Sequence, residues 1–291
     1  MLWIDEIASE KREVHGFVDF MCSDGIYLWS TNQDLLQKWC NTSQAVLAEV
    51  SVPQAAGIPV VAFNAVWVAS LSHNAIYKID RESNQILAII NTGLADQSGE
   101  FSLAASHDAI WVANASGYIS KIDPFNNSIL TTVKVLPFSY NLAVTKEFLW
   151  VTNTQNGSVQ RIDPHTHRVT DTIAVGERPW FLSANDDVVW TLNQSDGTVS
   201  KIDATRAEVI ATIQLPEQAQ GDGGDIFAYG NRVWVRTTHL LLIEINATTN
   251  EIIRVIQHSQ AAGSGAVMQC NHKLWITAHD INTVWILDVE A

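Results

Sequence analysis

Six side chains in the C-terminal half of the sequence have types that could act together on a ligand. They comprise two cations, two carboxylates, an imidazole and an indole: Arg178, Trp180, Asp225, Arg236, His279 and Asp280. Guanidinium groups bind carboxylates and phosphates through parallel hydrogen bonds, and an ordinary histidine changes charge near neutral pH. Together these groups suit a polar ligand that carries an anionic group. His279 is the best candidate for a general base, because histidine titrates close to the pH at which most enzymes work.

A repeat explains why residues so far apart in sequence are expected at one place. Seven aromatic residues recur at gaps of 39 to 44 residues: Tyr27, Trp67, Trp111, Trp150, Trp190, Trp234 and Trp275. A period of about forty residues is shared by propeller blades and by solenoids of helix pairs. Apolar and polar residues alternate around each aromatic, which indicates strands. We therefore predict an all-β fold, a seven-bladed propeller of four-stranded antiparallel blades.

The fifth repeat gives the clearest blade, with predicted strands at residues 181–184, 188–193, 198–203 and 208–214. Blade three is predicted to start at Phe101 and to turn at Ala115-Ser116-Gly117. Features that recur in successive blades are interpreted as structural. The aromatic anchors are expected to fill the space between blades, because aromatic side chains dominate core energetics. The aspartates that end the third strands are expected to cap turns: Asp80, Asp123, Asp163 and Asp203.

Two positions of the repeat change their chemistry in blade six. Arg236 is the only charged residue two places after an aromatic anchor, on the strand face that packs between blades. Asp225 is the only charge nine places before the later anchors, where the inner strand begins. A buried guanidinium without a partner is costly, so Arg236 is expected to meet a carboxylate or the anionic group of a ligand. An Asp225–Arg236 ion pair is the simpler interpretation. Asp19 is a further acid on the inner strand of blade one.

Blade seven places a histidine and an aspartate in the turn after its second strand. Up-and-down blades put this turn on the same side as the entry to the inner strand. The mouth of a propeller is a natural concave binding site. We therefore predict one ligand-binding rim on adjacent blades, formed by Asp225, Arg236, His279 and Asp280 and joined from blade five by Arg178 and Trp180. For His279 the alternative is a solvated turn residue with no role.

The last blade needs a strand from elsewhere, because the sequence after its second strand supplies only one more. The apolar segment 2–7 is predicted to pair with residues 283–288 and to close the ring, so that residues 1–8 form the outer strand of the last blade. Closure removes the open sheet edges that invite aggregation. Because every connection between repeats is short, residues 1–291 are predicted to form a single domain.

Composition limits the classes of function. Acidic residues outnumber basic ones by 31 to 17, giving a formal net charge of −14. Nucleic acids and anionic membrane surfaces are bound through basic patches, so neither is expected as a partner. The acidity favours a soluble protein, expected to be a monomer, and without a signal peptide the default compartment is the cytoplasm. Three cysteines make no disulfide framework. Cys22 and Cys270 are interpreted as buried free thiols, with a bridge between them as the alternative.

The most regular repeat reads Leu149-Trp150-Val151-Thr152-Asn153, followed by Gly157-Ser158-Val159-Gln160-Arg161-Ile162-Asp163-Pro164. This unit resembles the YVTN-type propeller repeat and the repeats of the streptogramin lyase (virginiamycin B lyase) family. The resemblance covers nearly the whole chain and implies seven blades. It also implies a metal-assisted lyase that opens a cyclic depsipeptide by elimination, with magnesium and a general base. The family's catalytic histidines lie around the inner strands of late blades, where this chain has Gly224-Asp225 and Gly265-Ala266.

Three hypotheses for function follow. The first is a non-catalytic propeller that binds a polar or anionic small ligand, or a protein partner, at the rim. Its support is the absence of Gly-x-Ser-x-Gly, Cys-x-x-Cys and His-Glu-x-x-His motifs, so that no metal ligands are assigned. The second is a streptogramin lyase-like C–O lyase acting on a cyclic depsipeptide or lactone, with His279 as base. The third is a scaffold stabilised by calcium through Asp19, Asn141 and Asp225. The expected cofactor is open, with magnesium or calcium as candidates.

Overall fold

The computed structural model describes residues 2–92, 102–114, 116–185 and 187–289. Within these ranges the strands form seven sheets, six with four strands and one with five. Consecutive strands of a sheet pair antiparallel, as in Asp225–Tyr229 against Arg232–Arg236. The chain is thus an all-β, seven-bladed propeller with four-stranded antiparallel blades, as the repeat predicts. Phe101 and Ala115, which were expected to start blade three and to form its turn, lie outside the described residues.

Each blade uses four strands in sequence order, except the last. The N-terminal segment contains β1 (Leu2–Trp3), the one-turn helix α1 (Ile4–Ile7) and β2 (Glu10–Glu13). Blade one contains β3 (Val18–Ser23), β4 (Tyr27–Asn32), β5 (Leu35–Cys40) and β6 (Val46–Ser51). Blade two contains β7 (Ala55–Ala62), β8 (Ala65–Ser70), β9 (Ala75–Asp80) and β10 (Ile86–Asn91). Blade three contains β11 (Leu103–Ala105), β12 (Ile110–Asn114), β13 (Tyr118–Asp123) and β14 (Ser128–Lys134).

The later blades follow the same order. Blade four contains β15 (Ser139–Val144), β16 (Leu149–Asn153), β17 (Ser158–Asp163) and β18 (Arg168–Ala174). Blade five contains β19 (Pro179–Asn185), β20 (Val188–Asn193), β21 (Thr198–Asp203) and β22 (Glu208–Gln214). Blade six contains β23 (Asp225–Tyr229), β24 (Arg232–Arg236), β25 (Leu242–Asn246) and β26 (Ile252–Gln257). Blade seven contains β27 (Val267–Cys270), β28 (Lys273–Ala278) and β29 (Thr283–Asp288). Single 3-10 turns occur at Thr154–Asn156, Glu217–Ala219 and His279–Ile281.

The chain divides into two compact units. One contains Met1–Asp19, Thr154–Val159 and Ile173–Ala291, and the other contains Phe20–Asn153 and Gln160–Thr172. A core of the first unit surrounds Trp234 and Trp285, and a core of the second surrounds Trp111. All six predicted ligand-binding residues belong to the first unit.

The tryptophan anchors are core residues. Six of them are at most 1 % exposed: Trp67, Trp111, Trp150, Trp190, Trp234 and Trp275. In blade one the prediction of Tyr27 as the anchor is wrong. Trp29 pairs with Lys38 across the sheet, as Trp67 pairs with Lys78, so Trp29 holds the equivalent place. Residues two apart point to the same face of a strand, so spacing alone does not separate Tyr27 from Trp29.

The recurring aspartates cap turns, as predicted. Each accepts hydrogen bonds from the backbone N–H groups two and three residues further on: Asp80, Asp123, Asp163 and Asp203. Hydrogen bonds from backbone amides stabilise the ionised carboxylate and lower the pKa of Asp80, Asp123 and Asp163. The carboxylates of these aspartates therefore stabilise the turns.

The N-terminal segment supplies the fourth strand of blade seven, but with other residues than predicted. Strand β2 pairs antiparallel with β29, Glu10 lying opposite Ile286. Residues 2–7 do not form this strand: β1 pairs parallel with β26 of blade six, and α1 places Ile4, 0 % exposed, in the core. Ile4 gains more from burial in the core than it would on an outer edge, which the charged residues of β2 occupy instead.

Two further expectations concern cysteines and membranes. Cys22 and Cys270 are buried and free, and burial raises the pKa of the Cys22 thiol well above its usual value. Among the described residues, no helix is long and apolar enough to cross a membrane.

Candidate functional site

The strand pairing of blade six brings Asp225 and Arg236 together. They are directly opposite each other where β23 begins and β24 ends. Gly224 precedes β23 with φ +118°, and a Cβ there would lie 2.1 Å from the carbonyl oxygen of Arg236. Only glycine permits both this backbone conformation and this close approach. The glycine therefore sets the register that places the two charged residues side by side.

Arg236 is completely buried, at 0 % exposure, and its guanidinium donates four hydrogen bonds to main-chain carbonyls. Its Nε donates to the carbonyl oxygen of Thr277 at 3.2 Å, and its Nη1 donates to that of Thr237. Its Nη2 donates to the carbonyl oxygens of Gly263 at 3.1 Å and Ser264 at 3.5 Å. The sequence predicted a carboxylate or a ligand anion as the partner of Arg236. Main-chain carbonyls could not be predicted as its partners, because every residue carries one. The guanidinium thus joins the ends of the second strands of blades six and seven to the loop of residues 259–264.

Nearby carboxylates balance this buried charge without displacing the carbonyls. Burial lowers the pKa of Arg236 to about 10, while the negative charges of Asp280, Asp19 and Asp225 favour the cation. Arg236 therefore stays charged at neutral pH. Asp225 is itself 6 % exposed and accepts hydrogen bonds from the backbone N–H groups of Ile226 at 2.8 Å and Val267 at 3.1 Å. Asp225 thus joins the inner strands of blades six and seven.

Asp280 holds the other side of the same loop. Its Oδ2 accepts hydrogen bonds from the backbone N–H groups of Ala262 at 2.9 Å and Gly263 at 3.0 Å. Arg236 binds the carbonyl oxygen of Gly263. A carboxylate and a guanidinium therefore fix the loop of residues 259–264 from its N–H side and its carbonyl side.

His279 lies at the surface of this assembly, half-buried in the 3-10 turn after β28. Its ring stacks on that of Phe17, with centroids 3.8 Å apart and planes inclined by 21°. Burial lowers the pKa of His279, opposed by the charge of Asp280 and assisted by that of Arg236. The imidazole is therefore neutral at pH 7. The sequence analysis did not include Phe17 among the candidate site residues. Its position just before the inner strand β3 could have indicated that it lies near the other residues of the site.

Side chains of blade five contact the loop of residues 218–224. Arg178 Nη1 lies 2.9 Å from Asp222 Oδ1, and its guanidinium carbon is 5.5 Å from the ring centre of Trp180. Gln194 donates to the carbonyl oxygen of Gly223 at 3.0 Å. The N–H of Gly224 donates to Ser264 Oγ at 2.8 Å, which connects this loop with the loop of residues 259–264.

All six predicted residues thus belong to one connected region, which we call the loop face. It consists of residues 17, 178–180, 218–225, 236, 259–264 and 279–280. The charged and aromatic side chains exposed at its surface include Arg178 and Asp222, which are 46 % and 70 % exposed, and Phe17, His279 and Asp280. Arg236 and Asp225 lie beneath it. The proposed roles of these residues in binding stay predictions.

The donor atoms of the loop face do not fit magnesium or calcium. Within the described ranges, no group of three or more His, Cys, Asp or Glu residues is arranged to hold a metal ion. Both oxygens of Asp225 accept backbone N–H groups, and Asp280 Oδ2 accepts two. Asn141, the third oxygen donor considered for calcium, belongs to the other unit and donates to Ser102.

Comparison with known proteins supports the fold. No protein-family model matches the chain, and no curated protein matches it in sequence. Two crystal structures from Staphylococcus aureus superpose on it: selenomethionine-substituted virginiamycin B lyase, with a TM-score of 0.80, and a catalytically inactive histidine-to-alanine variant of that enzyme with quinupristin, with a TM-score of 0.82. Each is 15 % identical, and the match covers 96 % of this chain and 98 % of the other. At this identity, the chain shares with virginiamycin B lyase the seven-bladed propeller fold.

Proposed function

We propose that the chain is a non-catalytic propeller that binds a polar small molecule at the loop face. The observation that carries this proposal is the fully buried Arg236, whose hydrogen bonds fix the polar loop of residues 259–264. A loop fixed before binding loses little conformational entropy on binding, which favours affinity. The Phe17–His279 stack lies at the edge of this loop and offers a flat surface to a ring.

The charges favour an uncharged or cationic ligand. Arg236 contributes one positive charge, and Asp19, Asp225 and Asp280 contribute three negative ones. Arg178 and Asp222 neutralise each other. The excess of negative charge raises the local concentration of cations and repels anions. Of the two ligand classes expected from the sequence, the polar one is therefore favoured over the anionic one.

The candidate catalytic groups are engaged in contacts that do not orient a general base. A histidine base is usually oriented by a third group that accepts a hydrogen bond from its other nitrogen. Asp280, the adjacent acid, accepts loop amides with its Oδ2. His279 contacts Phe17 through its ring face. These contacts build a surface and do not assemble a reactive constellation.

The binding proposal is tested by saturation-transfer NMR with benzylamine, benzamide and benzoate. Benzylamine and benzamide should show saturation transfer, stronger than that of benzoate at the same concentration. His279→Ala should reduce these signals at least fivefold, because it removes half of the stack. The matched control is His165→Ala, which removes an exposed turn histidine in blade four. Equal signals in both variants would contradict the site, and binding of none of the probes would favour a protein partner at this face.

A streptogramin lyase-like C–O lyase is the second candidate. It is favoured by one observation: burial and the charge of Arg236 lower the pKa of His279, so the imidazole is unprotonated at neutral pH, as a general base must be. The similarity to a lyase structure with quinupristin suggests the substrate to try. Incubation with quinupristin and magnesium should leave the compound unchanged if the protein is a binder. A new chromatographic peak of unchanged mass, absent with His279→Ala, would instead establish ring opening by elimination.

A further inference from the structure

The residue before the loop of residues 259–264 is a histidine that caps the start of this loop. His258 Nδ1 accepts hydrogen bonds from the backbone N–H groups of Gln260 at 3.1 Å and Ala261 at 3.0 Å. Asp280 accepts those of the next two residues, so four consecutive N–H groups of the loop have side-chain acceptors. The order of the loop therefore depends on an imidazole at its start as well as on a carboxylate.

Aspartate or asparagine makes the same kind of cap elsewhere in the fold. In blades two to six, the turn between the third and fourth strands is capped by an oxygen that accepts the N–H groups two and three residues further on, at 2.7 to 3.2 Å: Asp80, Asp123, Asp163, Asp203 and Asn246. An amide does not titrate, and a carboxylate takes up a proton only near about pH 4. A histidine takes up a proton between about pH 5 and pH 8. The cap at His258 therefore differs from the others in being sensitive to mild acid.

The hydrogen bonds of His258 determine which of its nitrogens carries the proton. A nitrogen that accepts two N–H groups has no hydrogen of its own, so Nδ1 is unprotonated. Nε2 then carries the proton of the neutral ring, and it donates to Asp5 Oδ2 at 3.1 Å. A second proton has to bind at Nδ1, where it would face the hydrogens of both backbone amides. The cationic ring is therefore incompatible with the cap.

The N-terminal segment supplies the acid that contacts His258. Strand β1 pairs with β26, which ends at the residue before His258, and α1 follows β1 directly. Asp5 on α1 accepts hydrogen bonds from Trp285 Nε1 and Lys11 Nζ, both at 3.0 Å, and these lower the pKa of Asp5. The carboxylate therefore stays ionised over the range in which a histidine titrates, and it offers a counter-charge to an imidazolium.

The surroundings of the His258 ring hold it in one place. Its side chain is 5 % exposed, and its ring centre lies 4.9 Å from that of Trp285 on β29. In the contacts of the described residues, Asp5 is the charged group bonded to the ring, and Lys11 on β2 is bonded in turn to Asp5. Protonation can therefore keep the bond to Asp5 while it breaks the bonds to the loop.

We propose that His258 is a positioning residue that makes binding at the loop face depend on pH. This role rests on the proposed function, since it concerns the affinity of the same face. While Nδ1 is unprotonated, His258 fixes the start of the loop of residues 259–264. Protonation releases the N–H groups of Gln260 and Ala261 and leaves the imidazolium bonded to Asp5. A ligand must then order the released segment itself, so its affinity falls as the pH decreases.

The protonation step is tested by NMR without a ligand. Hydrogen exchange of the Gln260 and Ala261 amides, relative to the intrinsic rate at each pH, should become at least tenfold faster from about pH 8 to about pH 5. His258→Asn should remove this change, because an asparagine oxygen can cap the turn, as that of Asn246 does, and does not titrate. The two amides capped by Asn246 are the internal reference. Unchanged protection in the wild type, or an acceleration that persists in His258→Asn, would overturn the proposal.

Asp5→Asn separates a titrating residue from a purely structural one. The asparagine oxygen can still accept the N–H of Nε2, but the counter-charge of the imidazolium is lost. Release of the two loop amides should therefore require a lower pH than in the wild type, because an opposite charge favours the protonated ring. His165→Asn, at an exposed turn of blade four, is the matched control and should leave the pH of release unchanged. Release at the same or a higher pH in Asp5→Asn would overturn its assignment to His258.

The effect on binding is measured by saturation transfer with benzamide, which is uncharged over this range of pH. The wild-type signal should fall at least fivefold from about pH 8 to about pH 5, whereas in His258→Asn it should fall less than twofold. Equal falls in the two proteins would overturn the regulation while leaving the binding face intact. No benzamide signal at either pH would contradict the proposed function and with it the regulation, whereas the exchange of the loop amides tests the protonation of His258 without any ligand.

Discussion

Blades three and six place opposite chemistry at the same two positions. In blade three, Ser102 opens the inner strand and Ala113 lies two residues after the anchor, with exposures of 2 % and 0 %. Blade six has Asp225 and Arg236 there, equally buried at 6 % and 0 %. Ser102 Oγ accepts the backbone N–H of Leu142 at 3.1 Å, and Asp225 Oδ2 accepts that of Val267 at 3.1 Å. The acid therefore keeps the structural task of the serine in the repeat.

The difference lies in what the second residue does. Ala113 belongs to an apolar core, whereas Arg236 sends hydrogen bonds to carbonyls of turns and of the loop of residues 259–264. Replacing a small apolar residue by a buried charge costs solvation energy, which only good hydrogen bonds offset. In blade six, apolar packing at this position is replaced by hydrogen bonds from Arg236 that fix the loop of residues 259–264. This is the physical reason for proposing a binding face there.

The largest effect is expected from Arg236→Ala. The substitution leaves Asp225 buried without its counter-charge and removes the donor from four carbonyl groups. Loss of one partner from a buried charge cluster costs about 3–5 kcal/mol. The midpoint of urea unfolding should therefore fall strongly. Leu192→Ala, at the same position in blade five, is the packing control, and an effect of Arg236→Ala no larger than that of a surface substitution would refute the structural role.

A smaller loss is expected from the double variant Asp225→Ser/Arg236→Ala, which copies blade three into blade six. The cavity left by Arg236 is the same as in the single variant, but the buried carboxylate is gone and the serine can still accept from Val267. The double variant should recover about 0.5–3 kcal/mol relative to Arg236→Ala, the range of coupling between neighbouring residues. A double variant that is less stable than the single one would show that Asp225 acts independently of the arginine.

The fold was predictable because its signals repeat. A wrong assignment in one blade, such as Tyr27 for Trp29, leaves the period and the strand order intact. The closing strand was not predictable by hydrophobicity, because Glu10–Glu13 is charged while the apolar Ile4 enters the core. Outer edge strands carry charges in many proteins, so an apolar segment is a poor guide to them.

The sequence marked the charged residues of the candidate site but did not reveal how they are arranged. The odd charges Asp225 and Arg236 were visible as departures from the repeat. Their partners are mainly backbone amides and carbonyls, which every residue carries and no sequence pattern distinguishes. Phe17 and the anchoring role of Asp280 depend on loops whose course is set by the fold. The sequence placed Arg236 between blades and predicted a carboxylate or a ligand anion as its partner, whereas its hydrogen bonds go to main-chain carbonyls.

A local effect is expected from Asp280→Ala, which releases the N–H side of the loop of residues 259–264. Two hydrogen bonds to the carboxylate are lost, and each such bond contributes about 1 kcal/mol in an accessible position. Hydrogen exchange of the amides of Ala262 and Gly263 should become at least tenfold faster. Asp203→Ala provides the comparison, since it should accelerate only the amides of its own turn, Thr205 and Arg206. Unchanged exchange in Asp280→Ala would mean that Arg236 alone fixes the loop.

The smallest effect concerns pH and separates His279 from an ordinary turn histidine. Its pKa is lowered in the folded protein by burial and by the charge of Arg236, below the usual 6.5. The unfolded chain therefore binds more protons in this range, so His279 contributes to stability above pH 6.5 and this contribution is lost as the pH falls. NMR titration should give a midpoint below 6.5 for His279. In Arg236→Met the midpoint should rise, because the repelling charge is gone. An unshifted midpoint in that variant would show that the charge of Arg236 does not lower the pKa of His279.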